Sequence, residues 1–144
     1  NSLLCGLPSK HLDKIQRIQN NAARVVTRSR KYDHITPVLH QLHWLPIRHR
    51  INYKLLLTAY TVLHNEAPTY LRTLLTEPSS RSLRSSSGHR LFIPRVKTKA
   101  YGERAFCHLA PKLWNLLPNE IRTMNSVDSF KSVLKTYLFR TAFD

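Results

Sequence analysis

Acidic residues and glycines are the scarce components of this chain. Only eight Asp and Glu stand against 23 Lys and Arg, and there are three glycines in 144 residues. So few glycines rule out a phosphate-cradling loop, which needs several to bring backbone amides onto one phosphate. The acids, Asp13, Asp33, Glu66, Glu77, Glu103, Glu120, Asp128 and Asp144, are scattered singly, with no Asp-Asp pair. Nucleotidyl transfer on two divalent ions about 4 Å apart needs clustered carboxylates. Neither polymerase nor metal-dependent nuclease activity is therefore expected of this chain alone. Cysteine is limited to Cys5 and Cys107, without a C-x-x-C. His40 and His43 lie three apart, but a structural zinc site would need two further ligands at typical spacings. They are read as surface or hinge histidines, and no metal or other cofactor is expected. The lone cysteines suit free thiols in a reducing compartment. No serine is bracketed by glycines, and nothing in the order of the eight histidines places one beside a nucleophile and its orienting acid. No apolar run approaches the length that spans a bilayer. There is no initiator Met and no secretory pattern, so an internal or terminal fragment is expected.

What is present is positive charge. The formal net charge is +15 and the sequence pI about 10.5. A charge of this size concentrates polyanions near the surface and speeds their arrival. Nucleic acid is the commonest such partner and an anionic membrane the runner-up. The length is that of one ordinary domain, and 42% hydrophobic residues are enough for a core.

The apolar rhythm predicts helices. From Ser9, a plausible N-cap, Leu12, Ile15, Gln19, Ala22 and Val26 recur at steps of three and four, flanked by Ile18 and Val25. Lys10, Lys14, Arg17, Asn21, Arg24 and Arg28 keep the same rhythm two residues out of phase, which is roughly 200° around the helix. The ordinary meaning of such a stripe is a solvated face, but solvated faces usually mix both signs. Here Asp13 is the only acid before Asp33, which favours a stripe that tracks phosphates. Thr36-Pro37 predicts a cap and first helical residue, opening a short helix to His43. Pro46 opens a second that runs to about Asn65 and is apolar on nearly every side, hence central. Arg48, His49, Arg50 and Lys54 at its head are expected to project outward. Pro68 opens a short helix through Leu75.

Glu77 to Gly88, EPSSRSLRSSSG, is Ser-rich and apolar-poor and reads as a linker or loop. Between Glu77 and Glu103 there is no acid, whereas Arg81, Arg84, Arg90, Arg95, Lys97 and Lys99 are present. Leu91-Phe92-Ile93 is the one strand-like run, and Pro94 keeps it from a central sheet position. Short helices are expected near Tyr101–Leu109, Lys112–Leu116 and Asn119–Thr123. A longer one is capped by Ser126, with Val127, Phe130, Leu134, Tyr137 and Leu138 on one face and Lys131 and Lys135 elsewhere. Trp44, Trp114, Tyr32, Tyr53, Tyr70 and Tyr101 lie near basic residues and are candidates to stack on bases. Trp44 and Trp114, set among leucines and prolines, are read as core instead. Tyr32, beside Arg30 and Lys31, stays open between the two.

Several motifs follow in a fixed order. They are Tyr32-Asp-His-Ile-Thr-Pro37, Leu42-His-Trp-Leu-Pro-Ile47, and Asn65-Glu-Ala-Pro-Thr-Tyr-Leu71. Then come Ser82-Leu-Arg-Ser85, Tyr101-Gly-Glu-Arg-Ala-Phe106, Ala110-Pro-Lys-Leu-Trp-Asn115 with Leu117-Pro118, and Ser129-Phe-Lys131 with Leu134-Lys-Thr-Tyr-Leu-Phe139. Together they resemble the C-terminal end of the polyprotein of non-LTR (LINE-type) retrotransposons of the Jockey and chicken-repeat group. Asn1-Ser-Leu-Leu4 and Gln16-Arg-Ile-Gln-Asn20 resemble the start of the reverse-transcriptase thumb, so the resemblance covers essentially the whole chain. It implies a reverse transcriptase cut after its catalytic palm. The family's zinc knuckle, where present, has no counterpart here.

The expected fold is mostly α, an irregular helical module with short proline-capped helices and at most one short strand or hairpin. The resemblance implies a thumb helix region over 1–31 and a helical C-terminal module over 32–144, with a basic Ser-rich loop at 77–90. It implies a nucleic-acid-binding part of an RNA-directed DNA polymerase that is not catalytic alone. Its expected partners are template RNA, RNA–DNA duplex or target DNA, and the upstream palm and fingers, with no membrane. Its location would be the nucleus and cytoplasm, as a ribonucleoprotein. The expected phosphate contacts are Lys14, Arg17, Arg24, Arg28, Arg30 and Lys31, with Arg81, Arg84, Arg95, Lys97 and Lys99 as a second patch. The alternative is a module that only braces the polymerase.

Overall fold

Ile51, Leu55, Leu56, Ala59, Tyr60 and Val62 are all buried, on a helix that its neighbours cover from several sides. The structure is a computed structural model that describes residues 4–75, 89–98 and 101–144. The helices run in the order α1 (Ser9–Thr27), α2 (Ile35–Gln41), α3 (Ile47–Leu63), α4 (Thr69–Arg72), α5 (Phe106–Leu116), α6 (Asn119–Arg122) and α7 (Val127–Phe143). A 3-10 turn at Gly102–Arg104 precedes α5. No strand occurs among the described residues, and no helix among them is long and apolar enough to cross a membrane. The expected mostly-α, irregular helical module is what the chain forms. Segment 77–88 of the Ser-rich loop lies outside the described residues.

The central place of α3 follows from its composition, since a helix apolar on most sides needs neighbours to cover it; Arg48, Arg50 and Lys54 near its head keep to solvent. It packs against α1, α4, α5 and α7. The rings of Tyr60 and Phe130 stack at 4.0 Å, and Trp114 approaches Phe130 at 5.9 Å, so one aromatic column joins α3, α7 and α5. The Tyr60 hydroxyl donates to the Met124 carbonyl at 2.9 Å, which satisfies its one polar atom. Trp114 is core, as expected, whereas Trp44 is only half-buried.

Helix starts differ in detail from expectation. Pro8, Pro46, Pro68 and Pro118 each occupy the N-cap itself, at φ of −53° or −54°, and no side chain caps any of these ends. Proline's fixed φ and free carbonyl begin the turn; the Pro8 and Pro46 carbonyls accept from His11 and Arg50 at 3.0 Å. Ser9 is thus the first helical residue and not the cap. Thr36 lies inside α2, whose N-cap is His34. Ser126 does cap α7, but through its carbonyl, which accepts from the Phe130 amide at 2.9 Å, and not through its hydroxyl.

The two helices expected around Ala110 are one, because α5 runs through Pro111. Proline inside a helix loses a hydrogen bond and crowds the preceding turn, costing about 3 kcal/mol. Its ring is buried here with Ala110 and Trp114, and that burial offsets the cost. Leu91-Phe92-Ile93 forms no strand, and none stands beside it among the described residues. The Asn115 side-chain amide takes the partner's place, accepting from the Leu91 amide at 2.9 Å and donating to its carbonyl at 2.8 Å. Trp114 Nε1 donates to the His89 carbonyl at 2.8 Å, and His108 Nδ1 meets the Pro94 carbonyl at 2.9 Å. Residues 89–94 are therefore strapped along α5 by its side chains.

The buried face of α1 is turned in part from the expected one. Gln19 is buried and Leu12 and Ile15 half-buried, as expected, but Ala23 and Gln16 complete the face, while Ile18, Ala22, Val25 and Val26 are exposed. Hydrogen bonding decides the orientation. Gln19 Nε2 donates to the Leu45 carbonyl at 2.9 Å, and Gln16 Oε1 accepts from the Ile47 amide at 2.8 Å, satisfying an orphan donor in the first turn of α3. Leu12 packs on the same core as α3, so α1 and the helices after residue 31 share one core. Gln19→Ala leaves the Leu45 carbonyl buried and unpaired, and is expected to lower stability by about 1–3 kcal/mol. Faster amide exchange in α1 than in α7 would accompany it; unchanged denaturation would show that the amide does not hold α1.

Candidate nucleic-acid interface

With Gln16, Gln19 and Ala23 facing the core, the opposite side of α1 is fixed toward solvent. Lys10, Lys14, Arg17 and Arg28 are exposed along it, over about 27 Å from Lys10 to Arg28 at 1.5 Å per residue. Arg28 sits at the helix C-cap in the left-handed conformation, φ 54°, with the Ser29 amide bonded back to the Arg24 carbonyl at 3.1 Å. The stripe thus ends in a closed turn that leads into Arg30 and Lys31, both exposed. Asp33 shapes this loop: its carboxylate accepts from the Arg30 amide at 2.7 Å.

Arg24 differs from its neighbours on the stripe. It is half-buried, its Nη2 donates to the Asp33 carbonyl at 3.3 Å, and its Nε is buried without a hydrogen-bond partner. It ties the loop to α1 and offers fewer donors to a ligand. Tyr32 is 91% exposed, so it packs no core, and Lys31 Nζ lies 5.8 Å from its ring centre. This exposed ring beside Lys31 is available for stacking.

Of the second patch, Arg95 and Lys97 are exposed just past the last anchor of the strapped segment at Pro94. Arg81, Arg84 and Lys99 lie outside the described residues. Arg48, Arg50 and Lys54 project outward from α3 as expected. Arg122 was not distinguishable in the sequence from the surface cations. It is buried, its Nε donates to the Leu117 carbonyl at 3.1 Å, and burial followed by nearby Arg90 pulls its guanidinium below the usual range.

No ion pair forms between the cations of α1 and a carboxylate of the described residues. Among the described residues the ion pair formed is Lys131 with Asp128 at 3.1 Å, on α7. On the stripe itself Asp13 is the one acid, exposed beside Lys10 and Arg17, so the net field there stays positive. Among the described residues, no group of three or more His, Cys, Asp or Glu side chains is placed to hold a metal ion. His40 and His43 pack instead on Phe139, with ring centres 5.1 and 5.6 Å away.

His49 departs from the outward position expected of it. It is half-buried, with Nδ1 inside and unpartnered. Burial, and secondarily Arg48, lower its pKa. A histidine lowered on folding is protonated more readily in the unfolded chain, so acid favours unfolding. Its contribution is full above the ordinary value of about 6.5 and is lost as pH falls from there through the folded value. Stability of His49→Phe is expected to depend less on pH in that window; equal slopes for both proteins in denaturation series would contradict the assignment.

No family model, curated protein or solved structure matches the chain.

Proposed function

We propose that this chain is a non-catalytic nucleic-acid-binding module, the C-terminal part of a retrotransposon RNA-directed DNA polymerase. It grips template RNA, RNA–DNA duplex or target DNA through phosphate contacts with little base readout. Lys14, Arg17, Arg28, Arg30 and Lys31 carry the first contact surface, with Arg24 bracing it. Arg95 and Lys97 belong to the second. Upstream palm and fingers would supply the chemistry, and the complex would work as a ribonucleoprotein in the nucleus and cytoplasm. The observation that supports this is the row of exposed cations on α1, none of which forms an ion pair with a carboxylate of the described residues. Binding to RNA–DNA duplex, single-stranded RNA and duplex DNA, each titrated with salt, tests it. Affinity that falls steeply with salt is expected, and no binding to any of the three would refute it.

The bracing module is the second possibility, favoured by another feature of α1. Ile18, Val25 and Val26 are 69%, 78% and 61% exposed in a strip beside the cations, a face that another protein segment would cover. It predicts weak binding that follows net charge and ignores the α1 stripe.

A further inference from the structure

A groove of about 660 Å³ opens between α3, α4 and the 3-10 turn, and none of the α1 cations lines it. Leu55, Leu71 and Phe106 give it an apolar lining, and Tyr70 and Tyr101 border it. These tyrosines are 68% and 81% exposed, so neither is held in the core. Arg104 completes the wall, and no carboxylate among the described residues pairs with it.

The chain's few glycines build this place. A Cβ on Gly6, at φ +70°, would come within 2.5 Å of Arg104 Cγ, so the arginine stem lies flat on bare backbone. A Cβ on Gly102 would meet Val96 Cβ at 2.8 Å, so the turn carrying Tyr101 and Arg104 seats closely on Val96. Any side chain at either position would push the arginine or the turn away. Cys5 also lines the groove, and burial raises its thiol pKa, which keeps it neutral. No carboxylate of the described residues lines the groove.

Exposed aromatic faces beside an apolar floor fit a planar π-system, and the guanidinium of Arg104, whose stem is seated on Gly6, fits an attached anion. A nucleotide within a single strand offers both, whereas the bases of a duplex are already stacked on each other. An apolar peptide would fill the floor but leave Arg104 without a counter-charge. We infer that the groove takes an unpaired base of single-stranded RNA or DNA, stacked on Tyr70 or Tyr101, with Arg104 on the adjoining phosphate. This rests on nucleic acid being the partner, as proposed above.

The test uses the full chain with a single-stranded oligonucleotide, the same strand carrying a run of abasic sites, and a duplex. The base-bearing strand should bind more tightly than the abasic one by roughly 5- to 150-fold per stacked base. Tyr70→Ala with Tyr101→Ala should remove most of that difference and leave duplex binding unchanged, while the double Phe variant keeps it. Both positions are exposed, so circular dichroism should show the variants folded. Equal affinity of the wild type for base-bearing and abasic strands would overturn the groove and leave phosphate binding standing. A double Ala variant that is folded yet retains the difference would also overturn it. Failure to bind any probe would overturn the nucleic-acid proposal itself.

Discussion

Trp114→Ala is expected to cost about 3–5 kcal/mol, the usual range for emptying a buried aromatic site. The side chain is 1% exposed and sits beside Phe130, which stacks on Tyr60. Its loss opens a cavity where α3, α5 and α7 meet. It also removes the indole donor to the His89 carbonyl, so residues 89–94 lose one of their anchors to α5. A native domain is stable by only about 5–15 kcal/mol, so this one change takes a large share of the margin. Trp114→Phe separates the two effects. It keeps an aromatic ring beside Phe130 but has no N–H, and is expected to cost less while still loosening the strap. Urea denaturation measures both. If Trp114→Ala unfolds within about 1 kcal/mol of wild type, the aromatic column is not the core.

Neutralising Lys14, Arg17, Arg28 and Lys31 together to Gln is expected to have the largest effect on binding. Each neutralised phosphate releases counterions, and the logarithm of affinity falls with the logarithm of salt by about 0.9 per contact on B-form DNA. Four lost contacts flatten the slope by about 3.6, so between 50 and 200 mM salt the wild type should lose about 150-fold more affinity than the variant. Folding should hold, since all four side chains are exposed and Gln is a good helix former. Sequence preference should barely change, because phosphate contacts carry no base information.

The parts of the fold that follow from composition alone agree with what the chain forms. A mostly apolar run such as Ile51 to Leu63, with only Asn52, Lys54, Thr58 and Thr61 polar, has little polar surface to turn outward, so its burial is readable without knowledge of its neighbours. The rhythm of Lys10, Lys14, Arg17 and Arg28 is likewise local, and it fixes which side of α1 is charged. What depended on a partner elsewhere in the chain was not readable. The buried face of α1 is set by Gln16 and Gln19 reaching backbone at Ile47 and Leu45, and those bonds outweigh the apolar Ile18, Val25 and Val26. Leu91-Phe92-Ile93 has strand composition, but Asn115 stands where a strand would have paired. Pro111 signals a break only until its ring is seen to be buried. Arg122 resembles every other arginine until Leu117 is found beside it. The tyrosine groove joins residues 5, 70, 101 and 104 through tertiary packing, and no local pattern brings them together.

The most direct measurement compares two charge-matched pairs on α1 and α7. Lys14→Gln with Arg17→Gln removes two exposed cations of the stripe. Lys131→Gln with Lys135→Gln removes two from α7, where Lys131 is paired with Asp128. Salt-dependent binding to a duplex is recorded for both variants and the wild type. The α1 pair should flatten the slope by about 1.8 and the α7 pair should leave it nearly unchanged. Equal flattening by both pairs would contradict the account, because net charge, and not this face of α1, would then be doing the binding.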